Sequence, residues 1–212
     1  MYNVEQLGQV FTPQFIVAQM LQLRKNFGSV FEPSAGNGAF AKNIPNCVGI
    51  EIDSNYCDEN SINMDFFDYS INNKFDTIIG NPPFVRFQDI LPKTKNKLKS
   101  ALFDGRTNLY MFFIEKCINH LSINGELIFI TPRDFLKATS SIDLNRFIYK
   151  KGTITDVVDL GDKKIFNGFS PNCLIWRFEK DNFSRKTNVS KEFVYCDGQL
   201  LFTQYKPFLY KL

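Results

Sequence analysis

The feature that most limits what this chain can fold into is where its polar, glycine-bearing clusters fall. Short apolar runs alternate with helical patterns, and nearly every run exits into such a cluster. Ser29-Val30-Phe31 runs into Glu32-Pro33-Ser34-Ala35-Gly36-Asn37-Gly38, and Cys47–Ile52 ends in Glu51-Ile52-Asp53. Ser61–Met64 ends at Asp65, and Phe75–Ile79 ends at Gly80-Asn81-Pro82-Pro83-Phe84. Later strands are expected at Leu127–Thr131, Thr155–Leu160 and Cys173–Phe178. Helices are expected at Gln14–Leu23, about Ala39–Asn43, Leu109–Leu121 (stopping near Asn124-Gly125) and Ile142–Tyr149, from apolar positions at helical spacing. Strands alternating with helices imply an α/β fold, a mainly parallel sheet with helices on both faces. Such sheets bind ligands beyond the carboxyl ends of their strands. The polar clusters lie at those ends.

Composition excludes several classes. With 44% hydrophobic and 22% charged residues, disorder, collagen and coiled coil are ruled out. No apolar run approaches the roughly 18 residues of a membrane span, and the first residues lack a signal peptide's pattern, so the cytoplasm is the expected location. Cys47, Cys57, Cys117, Cys173 and Cys196 are odd in number and form no C-x-x-C, which points to unconnected thiols. A single histidine, His120, excludes multi-histidine metal sites and sits in a helical pattern. Charge is uneven. Residues 1–80 hold four Lys and Arg against nine Asp and Glu, whereas residues 81–212 hold 21 against 13. Arg86–Arg106, with Lys93, Lys95, Lys97 and Lys99, suits phosphate contacts or a solvated loop.

The first clusters describe a nucleoside pocket. Gly36 and Gly38 let the backbone approach a ligand, but the pattern is not G-x-G-x-x-G, so a dinucleotide pyrophosphate site is not indicated. Glu51 ends the next strand, where a carboxylate accepts from ribose hydroxyls. Asp65 is placed to accept from an adenine amine, and Phe66 beside it to stack on the base. There is no phosphate clamp. Glu32 and the acidic character of this half favour a cationic nucleoside ligand, S-adenosyl-L-methionine, whose sulfonium is positive.

The cluster at 81–84 describes a reacting end. Two consecutive prolines remove two backbone donors, so carbonyl oxygens dominate. An amino group held there donates to the Asn81 side-chain oxygen and to the Pro82 carbonyl, which frees its lone pair. Pro83 stiffens the turn, and Phe84 offers a face for the ring that carries the amine.

Together these residues resemble the gamma-group DNA adenine-N6 methyltransferases, the TaqI-like enzymes, over Gly8 to Phe178. Gly8-Gln9-Val10-Phe11-Thr12-Pro13 is similar to the family's segment that contacts the methionine part, which implies roles for Phe11 and Thr12. Glu32 through Gly38 resembles the cofactor loop, which implicates Glu32, Ser34, Ala35 and Gly36. Glu51 with Ile52, and Asp65-Phe66, match the ribose- and adenine-binding positions. Asn81-Pro82-Pro83-Phe84 looks like the catalytic motif, with Asn81 also beside the cofactor. Asn108-Leu109-Tyr110 with Phe113 resembles the helix near the cofactor. Phe166 through Asn172 resembles the segment that supplies a second aromatic against the flipped base, Phe166 or else Phe169.

The resemblance implies a Rossmann-like S-adenosylmethionine-dependent methyltransferase fold, with a seven-stranded, mainly parallel sheet ending in an antiparallel hairpin. It implies N6-adenine methylation of duplex DNA by base flipping, within a restriction-modification system. Residues 1–180 are then the catalytic domain, and 181–212 an extension towards an absent target-recognition domain. Expected partners are duplex DNA and a cognate restriction endonuclease or a recognition domain or subunit, with no membrane. Three other readings share the Asn-Pro-Pro-aromatic turn or the fold: a protein glutamine methyltransferase, an RNA base methyltransferase, and a non-catalytic DNA-binding or assembly subunit.

Overall fold

The computed structural model describes residues 8–59, 61–103, 107–161, 165–166, 172–194 and 200–204, of which 191–194 and 200–204 as backbone only. The expected alternation is present. Strand β1 (Val30–Glu32) is preceded by helix α1 (Gln14–Leu23), and β2 (Val48–Glu51), β3 (Ser61–Asn63) and β4 (Phe75–Gly80) follow. After a short helix α2 (Pro92–Lys95) come helix α3 (Leu109–His120), strand β5 (Leu121–Pro132), helix α4 (Ile142–Lys151), and strands β6 (Gly152–Asp159) and β7 (Cys173–Lys180).

These seven strands lie in the order β3-β2-β1-β4-β5-β7-β6. β1 through β5 pair in parallel, and β7 inserts antiparallel between β5 and β6. The sheet exceeds the seven strands expected from sequence. β8 (Asn188–Val194) pairs parallel to β6, and β9 (Leu200–Gln204) pairs antiparallel to β8.

The central strands are apolar on both faces, as strands of a doubly covered sheet must be. Phe31, Ile78, Leu127, Phe129 and Trp176 point into one core with α3 and α4. Their neighbours Val30, Ile79, Ile128, Ile130 and Ile175 point into the other with α1. That is the two-residue period of a strand. α3 buries nine of its twelve residues, whereas α4 buries only Leu144 and Ile148. His120 is fully buried, its Nδ1 lies 2.8 Å from the Asn73 carbonyl, and burial pulls its pKa down to about 4. It is a neutral core histidine.

Several boundaries moved: β5 begins at Leu121 rather than Leu127, and β6 at Gly152 rather than Thr155. The helix expected at Ala39–Asn43 is a single 3₁₀ turn, Ala41–Asn43, because Gly36 and Gly38 take left-handed conformations just before it and Pro45 follows just after. α3 stops at His120, ahead of Asn124-Gly125. Asn124 instead adopts a left-handed conformation where β5 shifts register against β4.

The order of strand addition reverses at β1: β2 and β3 build outwards on one side, β4 and β5 on the other. The carboxyl ends of β1 and β4 part there, which is where such sheets open a crevice. Among the described residues no helix is long and apolar enough to cross a membrane, and no group of three His, Cys, Asp or Glu is placed to hold a metal. Cys47, Cys57, Cys117 and Cys173 are free thiols, and Cys196 lies outside the described residues.

Candidate active site

The loop after β1 is set by backbone bonds that any sequence could make and by glycines that this one needs. Ala35 N–H donates to the Ile50 carbonyl (2.7 Å), and Gly38 N–H to the Ala35 carbonyl (2.8 Å). Gly36 and Gly38 sit at φ +54° and +76°, where a Cβ is strained. Glu51, 4% exposed, clamps this turn: Oε2 accepts from Gly36 N–H at 2.7 Å, and Oε1 from Asp53 N–H at 2.8 Å. Each oxygen keeps a lone pair for a further donor. Glu32, 1% exposed, lies beneath the loop, where Oε2 accepts from Ala41 N–H at 2.8 Å. Burial pushes its pKa up to about 8, against the pull of the Ala41 and Phe40 amides.

Asp65 ends β3's run and caps the next turn, accepting from Phe67 N–H at 3.0 Å on Oδ1. Its Oδ2 accepts from the Thr94 hydroxyl (2.9 Å) and the Lys97 ammonium (3.1 Å). The Phe66 ring is buried, 4.8 Å from Phe113, with the Lys116 ammonium 4.7 Å from its centroid.

At the end of β4, Asn81 is fixed from one side only. Its Nδ2 donates to the Val10 carbonyl at 3.2 Å, while Oδ1 is buried with no partner. A buried acceptor without a donor is costly, and in a native fold it marks a place for one. The Asn81 carbonyl accepts from the Ser34 hydroxyl at 3.1 Å, which ties the two loops across the crevice. Pro82 is buried. Gly8 packs over this turn; a Cβ there would meet Val85 at 2.7 Å and the Phe84 nitrogen at 3.3 Å.

One cavity joins the two ends. Of the residues singled out from sequence, Phe11, Ser34, Gly36, Glu51, Ile52, Asp65, Phe66, Asn81 and Pro83 line it. Glu32, Ala35, Thr12 and Pro82 lie outside its wall. Glu32 and Ala35 act on loop shape, and Thr12 stands just ahead of α1. Phe84 meets Phe166 at 6.2 Å and 71°, and Tyr110 at 6.0 Å and 80°. The aromatic pair expected from sequence is therefore in contact, but edge to face. A base stacked between them needs one ring to swing parallel and withdraw. Phe169 lies outside the described residues.

The structure adds Gln9, Phe67 and Thr94 to the cavity wall. Gln9 Nε2 is buried and unpartnered, a donor to complement the Asn81 acceptor. Its place inside Gly8–Pro13 was the only signal for it. Thr94 and Lys97 sat within the basic stretch, and nothing local marks a pair that reaches Asp65 from 29 and 32 residues away.

The cavity fits S-adenosyl-L-methionine. Glu51 holds the glycine turn, Asp65 shares the same wall, no Lys, Arg or His lines it, and Asn81, with its partnerless oxygen, is among the lining residues. Strand order and site together define the class I S-adenosylmethionine-dependent methyltransferases, and the fold of one such putative enzyme from Listeria monocytogenes superposes with a TM-score of 0.67, at 17% identity, over 90% of this chain and 67% of that one. A modification subunit of a putative type I restriction enzyme from Vibrio vulnificus gives 0.72 at 14% identity, over 91% and 48%.

Residues 22–166 match the Eco57I restriction-modification methylase model, and the chain belongs to that family. It is 32% identical to the type II methyltransferase M.HincII of Haemophilus influenzae, over 86% of this chain and 39% of that protein. It is 30% identical to M.TthHB8I of Thermus thermophilus, over 82% and 45%. The chain thus spans under half the length of these relatives. The family and fold imply S-adenosyl-L-methionine as the cofactor.

Proposed function

We propose that this chain carries the catalytic domain of a restriction-modification DNA methyltransferase that methylates the N6 amine of adenine in duplex DNA. The observation that carries this reading is Asn81: its Nδ2 is anchored on Val10 and its Oδ1 is buried without a donor. An exocyclic amine brought there supplies the missing hydrogen, and the Pro82 carbonyl takes the second. Both bonds draw the nitrogen towards tetrahedral geometry and expose its lone pair. No base is needed before attack, since the proton leaves afterwards to solvent. S-adenosyl-L-methionine, when bound, supplies the electrophilic methyl. Glu51, Asp65 and the Gly36 turn hold its adenosyl part, and the Gly8–Thr12 segment lies over its other end. Phe84 and Phe166 take the faces of the flipped base.

On this reading residues 1–180, with β8 and β9 continuing their sheet, form the catalytic domain, and recognition elements lie in a further domain or a partner subunit. Acting on genomic DNA, the protein works in the cytoplasm. The test is incubation with labelled cofactor and duplex DNA, RNA or a glutamine-bearing protein. Label on adenine N6 of DNA is expected. Label on RNA or protein alone, or no label on DNA even in a protein that includes its recognition elements, would sink the reading. In parallel, Glu51→Ala in a folded protein should weaken cofactor binding by about 1.5–3 kcal/mol by calorimetry, the range for a lost charge-assisted hydrogen bond.

A further inference from the structure

Asp65 is the most heavily occupied acid on the cavity wall, and two of its three donors come from a segment that follows the reacting turn. Thr94 is 6% exposed and itself lines the cavity, on α2. Lys97 lies one turn further on, its amide donating to the Thr94 carbonyl at 2.9 Å. Its ammonium bridges Asp65 and Asp68, with 20% of the side chain exposed. Ile90 and Leu91, just before α2, also face the cavity. One stretch of chain, Ile90 to Lys97, therefore closes the adenosyl end and grips the acid there.

The count of lone pairs decides what this grip does. A carboxylate offers about four acceptor positions, two on each oxygen. Thr94 and Lys97 fill both on Oδ2, and Phe67 N–H fills one on Oδ1. The remaining position is on Oδ1 alone. Without Thr94 and Lys97 the carboxylate is free to turn about its Cβ–Cγ bond, and Oδ2 competes for any donor.

We propose that Thr94 and Lys97 are positioning residues for the cofactor's adenine, fixing Asp65 so that Oδ1 presents one lone pair to the adenine amine. This rests on the cofactor site given above, and it assigns to Lys97 a task other than DNA contact, although it sits amid exposed lysines. Lys93 and Lys99 on the same stretch are exposed. The wall of the adenosyl end and two exposed lysines thus ride on one piece of backbone.

The test compares two ligands by calorimetry on the whole chain: S-adenosylhomocysteine, and S-inosylhomocysteine, which carries a carbonyl in place of the amine. The unaltered protein should prefer the adenosyl ligand at least about 10-fold, the low end for a hydrogen bond to a charged group. Thr94→Val and Lys97→Met should cut that preference several-fold, and Lys97→Arg should restore most of it. A merely structural role weakens both ligands equally and leaves the ratio unchanged, which would overturn the proposal. Thr94→Ser, which keeps the hydroxyl, should keep the ratio even if Thr94→Val folds poorly; loss of preference in Thr94→Ser would also overturn it. Failure of the unaltered protein to bind either ligand would instead remove the cofactor site itself. Tight binding of both ligands without preference would leave that site standing and refute the role of Asp65.

Discussion

The two ends of the sheet treat buried polar groups in opposite ways. At the amino-terminal end of β4 and β5, Glu126 is 1% exposed and saturated. It accepts from the Lys25 and Asn26 amides at 3.0 and 2.8 Å, from the Thr77 hydroxyl at 3.0 Å, and from Arg177 Nε at 2.6 Å. Arg177, 3% exposed, also reaches Thr155, Asp156 and Glu179. At the carboxyl end, the Asn81 oxygen and the Gln9 amide nitrogen have no partner, and Glu32 is pushed up to about 8 by burial. One end uses polar groups to lock α1, β4, β5 and β7 together. The other keeps them open, at a cost in stability that a ligand repays. Polar saturation separates Glu126 from Asn81, although both are buried, but it does not sort the two ends completely: His120 Nε2, just ahead of β5, is also buried without a partner, and Asp65 at the carboxyl end holds three donors.

The largest expected effect breaks the saturated end. Glu126→Ala strands a buried guanidinium, two amides and a hydroxyl, and should cost about 3–5 kcal/mol, the range for removing one partner of a buried ion pair. Urea unfolding reads this. Cofactor affinity of the protein that remains folded should be unchanged. A loss below about 1 kcal/mol would mean that the network is ornamental.

At the open end the same kind of change should leave the fold and remove function. Asn81→Ala gives up one 3.2 Å bond to Val10 and a partnerless oxygen, so thermal stability should barely move. Methyl transfer, measured in a protein that includes its recognition elements, should fall roughly 10²–10³-fold, typical of losing a preorganised polar group. Cofactor affinity should stay within a few-fold. If turnover persisted, the unpaired oxygen would be only a packing defect.

How much of this contrast the sequence revealed follows from the range of the interactions. The helix at Gln14–Leu23 was legible to the residue, because its apolar period and the following polar stretch are local. The strand ends beside Glu51, Asp65 and Asn81 were legible to within one residue, since apolar runs stop there. Partners were not legible. The Asn81 amide meets Val10 across 71 residues, and Glu126 draws on Lys25 across 101. The same gap hid the occupancy of Asp65, which read as a free acceptor but already holds three donors. Glu32 read as an acid for a cationic ligand; its burial beneath the loop, facing backbone amides, came from tertiary packing. β8 was missed because Asn188–Val194 shows no sustained alternation, and β9 because residues 181–212 read as an extension, although Leu200-Leu201-Phe202 is an apolar run.

Glu32 gives the comparison a pH axis. Its folded-state pKa, about 8, lies above the ordinary 4.5, chiefly through burial. Between those values the folded chain holds a proton that the unfolded chain has released. Its contribution is therefore full below about pH 4.5 and is lost as pH rises towards 8. From about pH 6 to pH 8 the loss should be about 2 kcal/mol. Glu32→Gln, which mimics the protonated acid, should flatten that slope in denaturant titrations at the two pH values. An unchanged slope would place the proton elsewhere.

The smallest effect concerns charge at the two ends. Of the basic stretch after the reacting turn, Arg86 is paired with Asp89 at 3.1 Å, and Lys97 with Asp65 and Asp68. Lys95 lies over the Phe87 ring at 4.6 Å, while Lys93 and Lys99 are exposed. Those two are the best placed to meet phosphates beside the crevice. Neutralising either, as Lys93→Gln or Lys99→Gln, should lower the slope of log affinity against log salt for duplex DNA by up to about 0.9. Lys25→Gln, beside Glu126 at the far end, should leave the slope alone. Phosphate contacts position a duplex without reading it, so scrambling the DNA sequence should change this chain's affinity by less than about 2-fold. Fluorescence anisotropy over a salt series, on several duplexes, measures both quantities. A salt response from Lys25 equal to that from Lys93 would mean that DNA does not choose the open end. Strong sequence preference would mean that base edges are read by residues 1–212 themselves, and recognition would not need a further domain or subunit.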